Sequence, residues 1–221
     1  MRTPWRTRPL MRALIARASH GAYGSRSASG FLTAVEVSRR ELGLAAGWFA
    51  ALGFGVFGIH IARGGFMFDD WTLAYDVRRA LDSGGMLEAF GDLWSGDILT
   101  GNSAGRPTEA AYNVLLYTTF GQHAALHVAW AILVAAMVSF LFYIVLRRVA
   151  LERLHSVAIA TLVLLFPAAD SSILWATGSI ARSSAALCLA GMVCGLAALR
   201  RAAGEQRRCT VSHGCPPALV G

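Results

Sequence analysis

The sequence predicts an all-α polytopic membrane protein with about four transmembrane helices and short interfacial helices in the first outer loop. Of the 221 residues, 55% are hydrophobic and only 15% are charged, and the mean hydropathy is +0.50. Soluble domains of this length rarely combine these values. The third observation is a series of apolar runs with the length of membrane-spanning helices.

The formal net charge is +7, and all twenty basic residues are arginine. Basic proteins are candidates for nucleic-acid binding, but these arginines cluster beside apolar runs and do not alternate with aromatic residues that could stack on bases. The sequence therefore predicts no nucleic-acid partner and a chain surrounded by membrane lipid. The four cysteines predict no metal site, because the spacing in CTVSHGC, residues 209–215, is not a usual zinc pattern.

Residues 1–41 are predicted to form a basic, disordered arm in the cytoplasm. The first forty residues contain eight arginines and a single acid, Glu36, and no apolar run long enough to span a membrane. Two alternatives stay open: translation could start at Met11, or the Arg- and Ser-rich segment could be an organellar transit peptide.

The first predicted span is residues 42–62, an apolar run interrupted only by His60. Its length matches the roughly 20 residues that a helix needs to cross about 30 Å of hydrocarbon. Because the eight arginines precede this run, the positive-inside rule places the N-terminus in the cytoplasm and the chain after residue 62 outside.

Residues 63–123 are predicted to form the outer loop, in which seven of the thirteen acids fall between Asp69 and Asp97. An acidic loop with few arginines is typical of the outer face. Apolar residues at helical spacing predict an interfacial helix that starts near Trp71 and ends at the Gly84–Gly85 pair. Its charged residues are predicted to form a solvated face: Asp76, Arg78 and Arg79.

A second short helix is predicted later in the outer loop. The Gly- and Asp-rich residues 91–105 are interpreted as a loop. Pro107 then suits the first position of a helix, and Gly121 suits its end. About thirteen helical residues are too few to cross a bilayer, so this helix is expected to be interfacial or re-entrant.

Three further spans are predicted at residues 124–146, 156–169 and 180–199. The arginines that follow the second span return positive charge to the cytoplasm. Counting both later segments also returns the arginines after residue 199 to that side. Residues 201–221 are therefore predicted to be a cytoplasmic tail.

Five charged residues collect on the predicted outer face and suggest a site. They are Asp69 and Asp70 after the first span, Arg106 before the second short helix, and Asp170 and Arg182 around the turn between the last two spans. Charged side chains beside hydrocarbon cost free energy, and a functional role would explain their presence. The competing interpretation is that the acids mark the point where the helix leaves the lipid, and that the Arg182 side chain extends to the membrane surface.

These features, in this order, resemble the N-terminal part of the GT-C superfamily of membrane glycosyltransferases. That superfamily includes protein O-mannosyltransferases and the bacterial lipid A and arabinosyl transferases. The resemblance covers roughly residues 42–199. It rests on FMFDDW after the first span, on the Arg106–Pro107 pair that opens the second short helix, and on LLFPAADSSILWATGSIAR at residues 164–182.

The resemblance implies transfer of a sugar from a polyprenyl-phosphate donor to an acceptor hydroxyl on the extracytoplasmic face, in a bacterial plasma membrane. It implies that Asp70 or Asp69 is the general base, with the other carboxylate orienting it or holding a divalent metal. Arg106, at a helix N-terminus, would hold the donor phosphate, and Arg182 is a second candidate for that role.

Members of this superfamily are expected to have more spans than the four predicted here. The resemblance therefore predicts either a truncated or inactive relative, or a subunit whose bundle is completed by a partner. A non-catalytic membrane scaffold or accessory subunit is the main alternative, in which the acidic loop docks a partner. A transporter fragment ranks third, because transporters need polar or broken helices around a midplane site.

Overall fold

The computed structural model describes residues 37–67, 69–96, 104–166, 175 and 178–213, with side chains as far as residue 202. These residues are all-helical, and no strand occurs among them, as the sequence predicts. The helices are α1 (Arg39–Phe57), α2 (Ile59–Arg63), α3 (Asp69–Ser95), α4 (Pro107–Phe120), α5 (Ala124–Arg148), α6 (Arg153–Leu165) and α7 (Ser179–His213).

Three stretches of helix are long and apolar enough to cross a membrane: Arg39–Arg63, Ala124–Arg148 and Ser179–Ala202. The prediction of four spans is not met in the described part of the chain. The predicted third span, 156–169, corresponds to α6, whose 13 residues are fewer than the roughly 20 that a crossing requires.

Several predicted features fall outside the described residues. They are the arm as far as residue 36, the loop at 97–103, the end of the predicted third span at 167–169, Asp170, and the tail from residue 214. The arm prediction extended to residue 41, whereas α1 begins at Arg39. The Ser38 hydroxyl starts this helix by accepting the Glu41 backbone N–H at 3.1 Å.

The helix α5 lies at the centre of the fold and packs against α1, α6 and α7. Phe49 of α1 is fully buried, with its ring centroid 6.1 Å from that of Tyr143 of α5. The two helices approach closely at Gly53, where a Cβ atom would lie 3.5 Å from the Ile132 side chain. Close packing of this kind is the main source of helix association when the surroundings are as apolar as the helices.

A buried polar network joins α1 and α5 at the start of α1. The Glu41 carboxylate accepts hydrogen bonds from the Tyr143 hydroxyl at 2.5 Å and from Arg147 Nε at 2.8 Å. Arg147 also donates to the Leu151 backbone carbonyl at 2.7 Å, and the side chains of Glu41 and Arg147 are only 13% and 10% exposed. The buried carboxylate and guanidinium therefore satisfy each other.

The helices α3 and α4 form an antiparallel hairpin with its own apolar core. At one end, the Tyr117 hydroxyl donates to the Asp70 backbone carbonyl at 3.4 Å. At the other end, the Gly105 backbone N–H donates to the Trp94 carbonyl at 3.0 Å. The start of α3 therefore lies beside the end of α4, and the end of α3 lies beside the residues that precede α4.

The boundaries in this hairpin agree only partly with the sequence. The prediction for α4 is confirmed, because Pro107 opens it and Gly121 follows its last residue with φ 58°. The predicted end of the preceding helix at Gly85 is a break, with φ 81° and ψ −163°, which glycine adopts readily. The prediction of a loop from residue 91 was wrong, because α3 continues to Ser95 and packs Leu93 in the core.

Candidate functional site

The start of α3 is fixed by the Asp70 side chain. Its Oδ2 atom accepts the Met67 backbone N–H at 3.2 Å, and the Asp70 N–H donates to the Met67 carbonyl at 2.9 Å. A side chain that reaches back three residues satisfies a free N–H group at a helix start, where negative charge also suits the helix dipole. Asp70 is 1% exposed, so its carboxylate is enclosed by protein.

The neighbouring Asp69 is exposed. Successive residues of a helix point about 100° apart, so one of two adjacent carboxylates can face a packed neighbour while the other faces outward. The predicted acidic pair is therefore divided into a buried carboxylate that caps α3 and an exposed carboxylate that a substrate can reach.

An aromatic cluster surrounds His127 of α5 next to Asp70. The His127 ring centroid lies 4.6 Å from that of Tyr117, 5.3 Å from that of Phe66 and 5.5 Å from that of Phe120. The His127 Nε2 atom is 3.0 Å from the Gly121 carbonyl oxygen. Because a carbonyl only accepts, this nitrogen carries the proton. The cluster joins α4 and α5 to the segment that enters α3.

Burial, with a further contribution from the Asp70 carboxylate, raises the pKa of the Tyr117 hydroxyl above its ordinary value of about 10. The folded protein therefore holds this proton more tightly than the unfolded chain. The contribution of Tyr117 to stability is complete below about pH 10 and is lost as the pH rises toward the folded-state pKa.

We expect Tyr117 to ionise at a pH above the ordinary tyrosine pKa of about 10. The test compares ultraviolet phenolate titrations of the wild type, Tyr117→Phe and the control Tyr75→Phe. Tyr117→Phe should remove a late component of the titration and leave the component near pH 10 unchanged. Loss of the component near pH 10 from Tyr117→Phe would contradict the prediction.

The structure does not bring Arg106 to the acidic pair. Arg106 precedes α4, is 66% exposed, and pairs with Glu109 Oε2 at 3.3 Å. Tyr117, which contacts Asp70, lies eleven residues further along the chain, or about 16 Å along a helix axis at 1.5 Å per residue. Arg106 and Asp70 therefore lie at opposite ends of the hairpin.

Arg182 lies near the start of α7, beside a hydrogen-bonded cluster on another side of α4. There the Tyr112 hydroxyl of α4 accepts from Trp130 Nε1 at 2.8 Å and donates to Ser179 Oγ at 3.0 Å. Ser183 Oγ also lies 3.0 Å from the Tyr112 hydroxyl. Tyr112 and Tyr117 are five positions apart, about 140° around the helix, so α7 meets α4 away from the Asp70 side. Arg182 is partly buried in this region.

A cleft of about 290 Å³ opens between the first half of α3 and the end of α4. Tyr117 lines it, so the cleft adjoins the cluster that encloses Asp70. Its polar lining consists of Arg78, Asp82, Thr118 and Gln122. The residues to which the resemblance gives roles are not among those that line the cleft: Asp69, Asp70, Arg106 and Arg182.

No relative was found. Comparisons of the chain with protein-family models, with curated protein sequences and with solved structures gave no match. The assignment of a function to this chain therefore depends on its residues and their arrangement.

The described residues contain no group of three or more His, Cys, Asp or Glu side chains that could hold a metal ion. A divalent cation at Asp69, the role that the resemblance allows for one carboxylate, would need further ligands from the substrate or from another chain. Asp69 and Asp70 alone, one exposed and one enclosed, do not make a metal centre.

The sequence interpretation missed two buried polar residues of the hairpin. Asp76 was predicted to belong to a solvated face but is 5% exposed, and Asn113 of α4 is also buried. The signal for Asp76 was present in the spacing, because it follows the buried Leu73 by three positions and precedes the buried Ala80 by four. Because Asp76 is charged, the sequence interpretation assigned it to the solvated face, although its spacing places it on the packed side of α3.

Proposed function

We propose that this chain is a polytopic membrane protein and the donor-side part of a GT-C-type glycosyltransferase that acts on the extracytoplasmic face. Three helices of spanning length support the membrane assignment. The arginines before the first span favour a cytoplasmic N-terminus. The α3–α4 hairpin, which connects two of the three helices, would then lie on the outer face, where a polyprenyl-linked sugar could reach it.

The observation that carries the proposal is the division of the acidic pair directly after the first span. Asp69 offers an exposed carboxylate, and the buried Asp70 fixes the helix turn from which Asp69 projects. A general base must reach the proton that it removes. We therefore assign the role of base to Asp69, and we assign to Asp70 the role of a positioning residue.

In the proposed reaction, Asp69 takes the proton from an acceptor hydroxyl, and the hydroxyl oxygen forms a bond to the anomeric carbon of the sugar. The bond between this carbon and the phosphate oxygen breaks, and the polyprenyl phosphate leaves with the electron pair. A cation is needed to stabilise that leaving phosphate. Arg182 belongs to α7, which meets α4 away from the Asp70 side, and Arg106 lies at the other end of the hairpin, so the proposal takes this cation from a partner subunit.

The test uses a deletion strain of the native host that is complemented with the wild-type chain, Asp69→Asn, Asp70→Asn or the control Asp92→Asn. Asp92 lies on the same helix, outside the acidic pair and the cleft. We expect Asp69→Asn to lose the cell-envelope glycan at normal protein abundance, since a general base contributes about 10²–10⁴-fold in rate. Asp70→Asn should keep part of the activity, because an amide oxygen can still accept the Met67 N–H.

Full restoration of the glycan by all three variants would contradict the proposal and favour the scaffold or accessory subunit. One observation already supports that second function: two of the predicted site charges have structural partners, Asp70 in the cap and Arg106 in its pair with Glu109. A wild-type chain that fails to restore the glycan would show that the activity requires more than this chain.

A further inference from the structure

The lining of the cleft between α3 and α4 contains one positive and one negative side chain, and these two side chains pair with each other. Arg78 Nε donates to both carboxylate oxygens of Asp82, at 3.1 and 2.9 Å, one helical turn away. An anionic ligand at this wall would meet a guanidinium that is already neutralised and a carboxylate that repels it. The wall is therefore poorly suited to a phosphate.

The same wall suits a neutral ligand that both donates and accepts hydrogen bonds. The guanidinium of Arg78 keeps further N–H donors, and the carboxylate of Asp82 keeps lone pairs that accept. Gln122, on the opposite side of the cleft, adds a side-chain amide with two donors and one acceptor oxygen. Thr118 donates its own proton to the Val114 carbonyl at 2.6 Å, so its hydroxyl offers only lone pairs to the cleft.

Apolar surface completes the cleft. Ala74 and Leu81 of α3 and the aromatic Tyr117 of α4 lie among its lining residues. A volume of about 290 Å³ is at the small end of ligand pockets, which are roughly 300–1,000 Å³. Polar groups of both kinds around a small apolar patch match a sugar ring, whose hydroxyls both donate and accept while its C–H groups form an apolar face.

We propose that the cleft formed by Arg78, Asp82, Thr118 and Gln122 is a binding site for a neutral sugar ring. This proposal adds to the proposed function a sugar site that is separate from Arg106. The role of this site in sugar transfer rests on the proposed function. The cleft adjoins the cluster around Asp70 through Tyr117. A sugar held there would contact the end of α4, which lies beside the start of α3.

The test is direct binding to the full chain in lipid nanodiscs, measured by saturation-transfer NMR with the methyl glycosides of glucose, mannose and galactose. Inorganic phosphate, followed by its own resonance, serves as the anionic probe. We expect saturation of at least one glycoside at millimolar concentration and no response of phosphate. Gln122→Ala and Thr118→Val should each weaken glycoside binding about five- to tenfold.

Thr119→Val is the matched control, because Thr119 neighbours Thr118, is also exposed and does not line the cleft. Its binding should equal that of the wild type. Gln122 and Thr118 are exposed, so their substitution leaves the packed core unchanged, and equal thermal unfolding of all variants checks this point. Absence of saturation, saturation that neither variant reduces, or a response of phosphate alone would overturn the proposal.

Two measurements test this inference and the proposed function separately: glycoside binding by the chain in nanodiscs, and glycan restoration in the deletion strain. If the chain binds a glycoside through Gln122 while Asp69→Asn remains fully active in the host, the sugar site is supported and the assignment of Asp69 as the base is contradicted. A chain that needs Asp69 for glycan synthesis but binds no glycoside keeps the proposed function and loses the sugar site.

Discussion

Glu41→Ala is expected to destabilise the protein by about 3–5 kcal/mol, the cost of removing one partner from a buried ion pair. The substitution leaves the guanidinium of Arg147 and the hydroxyl of Tyr143 without the carboxylate that accepts from both. Both groups are enclosed between α1 and α5, so water cannot replace the lost acceptor. The measurement is thermal or denaturant unfolding of the protein in detergent micelles.

Two further variants show whether the unpaired charge is the cause. The double variant Glu41→Met, Arg147→Met should recover most of the lost stability, because it removes both charges and keeps side-chain volume. His155→Ala is the control for an exposed pair, because His155 and Glu152 are 66% and 73% exposed; such pairs contribute about 0–1 kcal/mol. A double variant as unstable as Glu41→Ala would show that packing and not charge decides the effect.

Phe49→Ala is expected to cost roughly 2 kcal/mol or more and to weaken the contact between α1 and α5. Phe49 is fully buried against Tyr143, and its removal leaves a cavity about the size of a phenyl ring. The cavity penalty is about 24 cal/mol per Å³. In apolar surroundings this packing loss dominates, because the unfolded helix would expose the same ring to lipid.

Phe54→Ala is the matched control, since Phe54 lies on the same helix but is 39% exposed. Its unfolding temperature in detergent should stay close to that of the wild type. If both variants are destabilised equally, the effect comes from the hydrophobicity of α1 as a whole, and the proposed packing of Phe49 on Tyr143 is not its source.

Local sequence signals predicted the helices whose limits are set by the residues within them and at their ends. Residues 124–146 were predicted as one long apolar helix, and α5 is Ala124–Arg148. Pro107 and Gly121 fixed the limits of α4 because proline tolerates the first helical position and glycine tolerates a positive φ after the last. Neither assignment needs knowledge of what packs against the helix.

Tertiary packing decided what the sequence could not. Residues 91–95 carry Gly, Asp and Ser and were interpreted as a loop, yet burial of Leu93 against α4 keeps them helical. Asp69 and Asp70 are identical and adjacent, and the packing of Tyr117 from α4 beside Asp70 distinguishes them in the fold. The distance of Arg106 from this pair likewise follows from the antiparallel direction of α4, which no local pattern encodes.

The pairing of Glu41 with Arg147 also affects the biosynthesis of the chain. The two residues are 106 positions apart, with the whole α3–α4 hairpin between them. At about 5–20 residues per second, a ribosome needs roughly 5–20 s to add the arginine after the glutamate. Under the proposed topology, α1 enters the membrane during this interval with a carboxylate that has no guanidinium to pair with. Glu41 therefore stays at the level of the lipid headgroups until α5 is inserted. Packing of α5 against α1 then buries both residues.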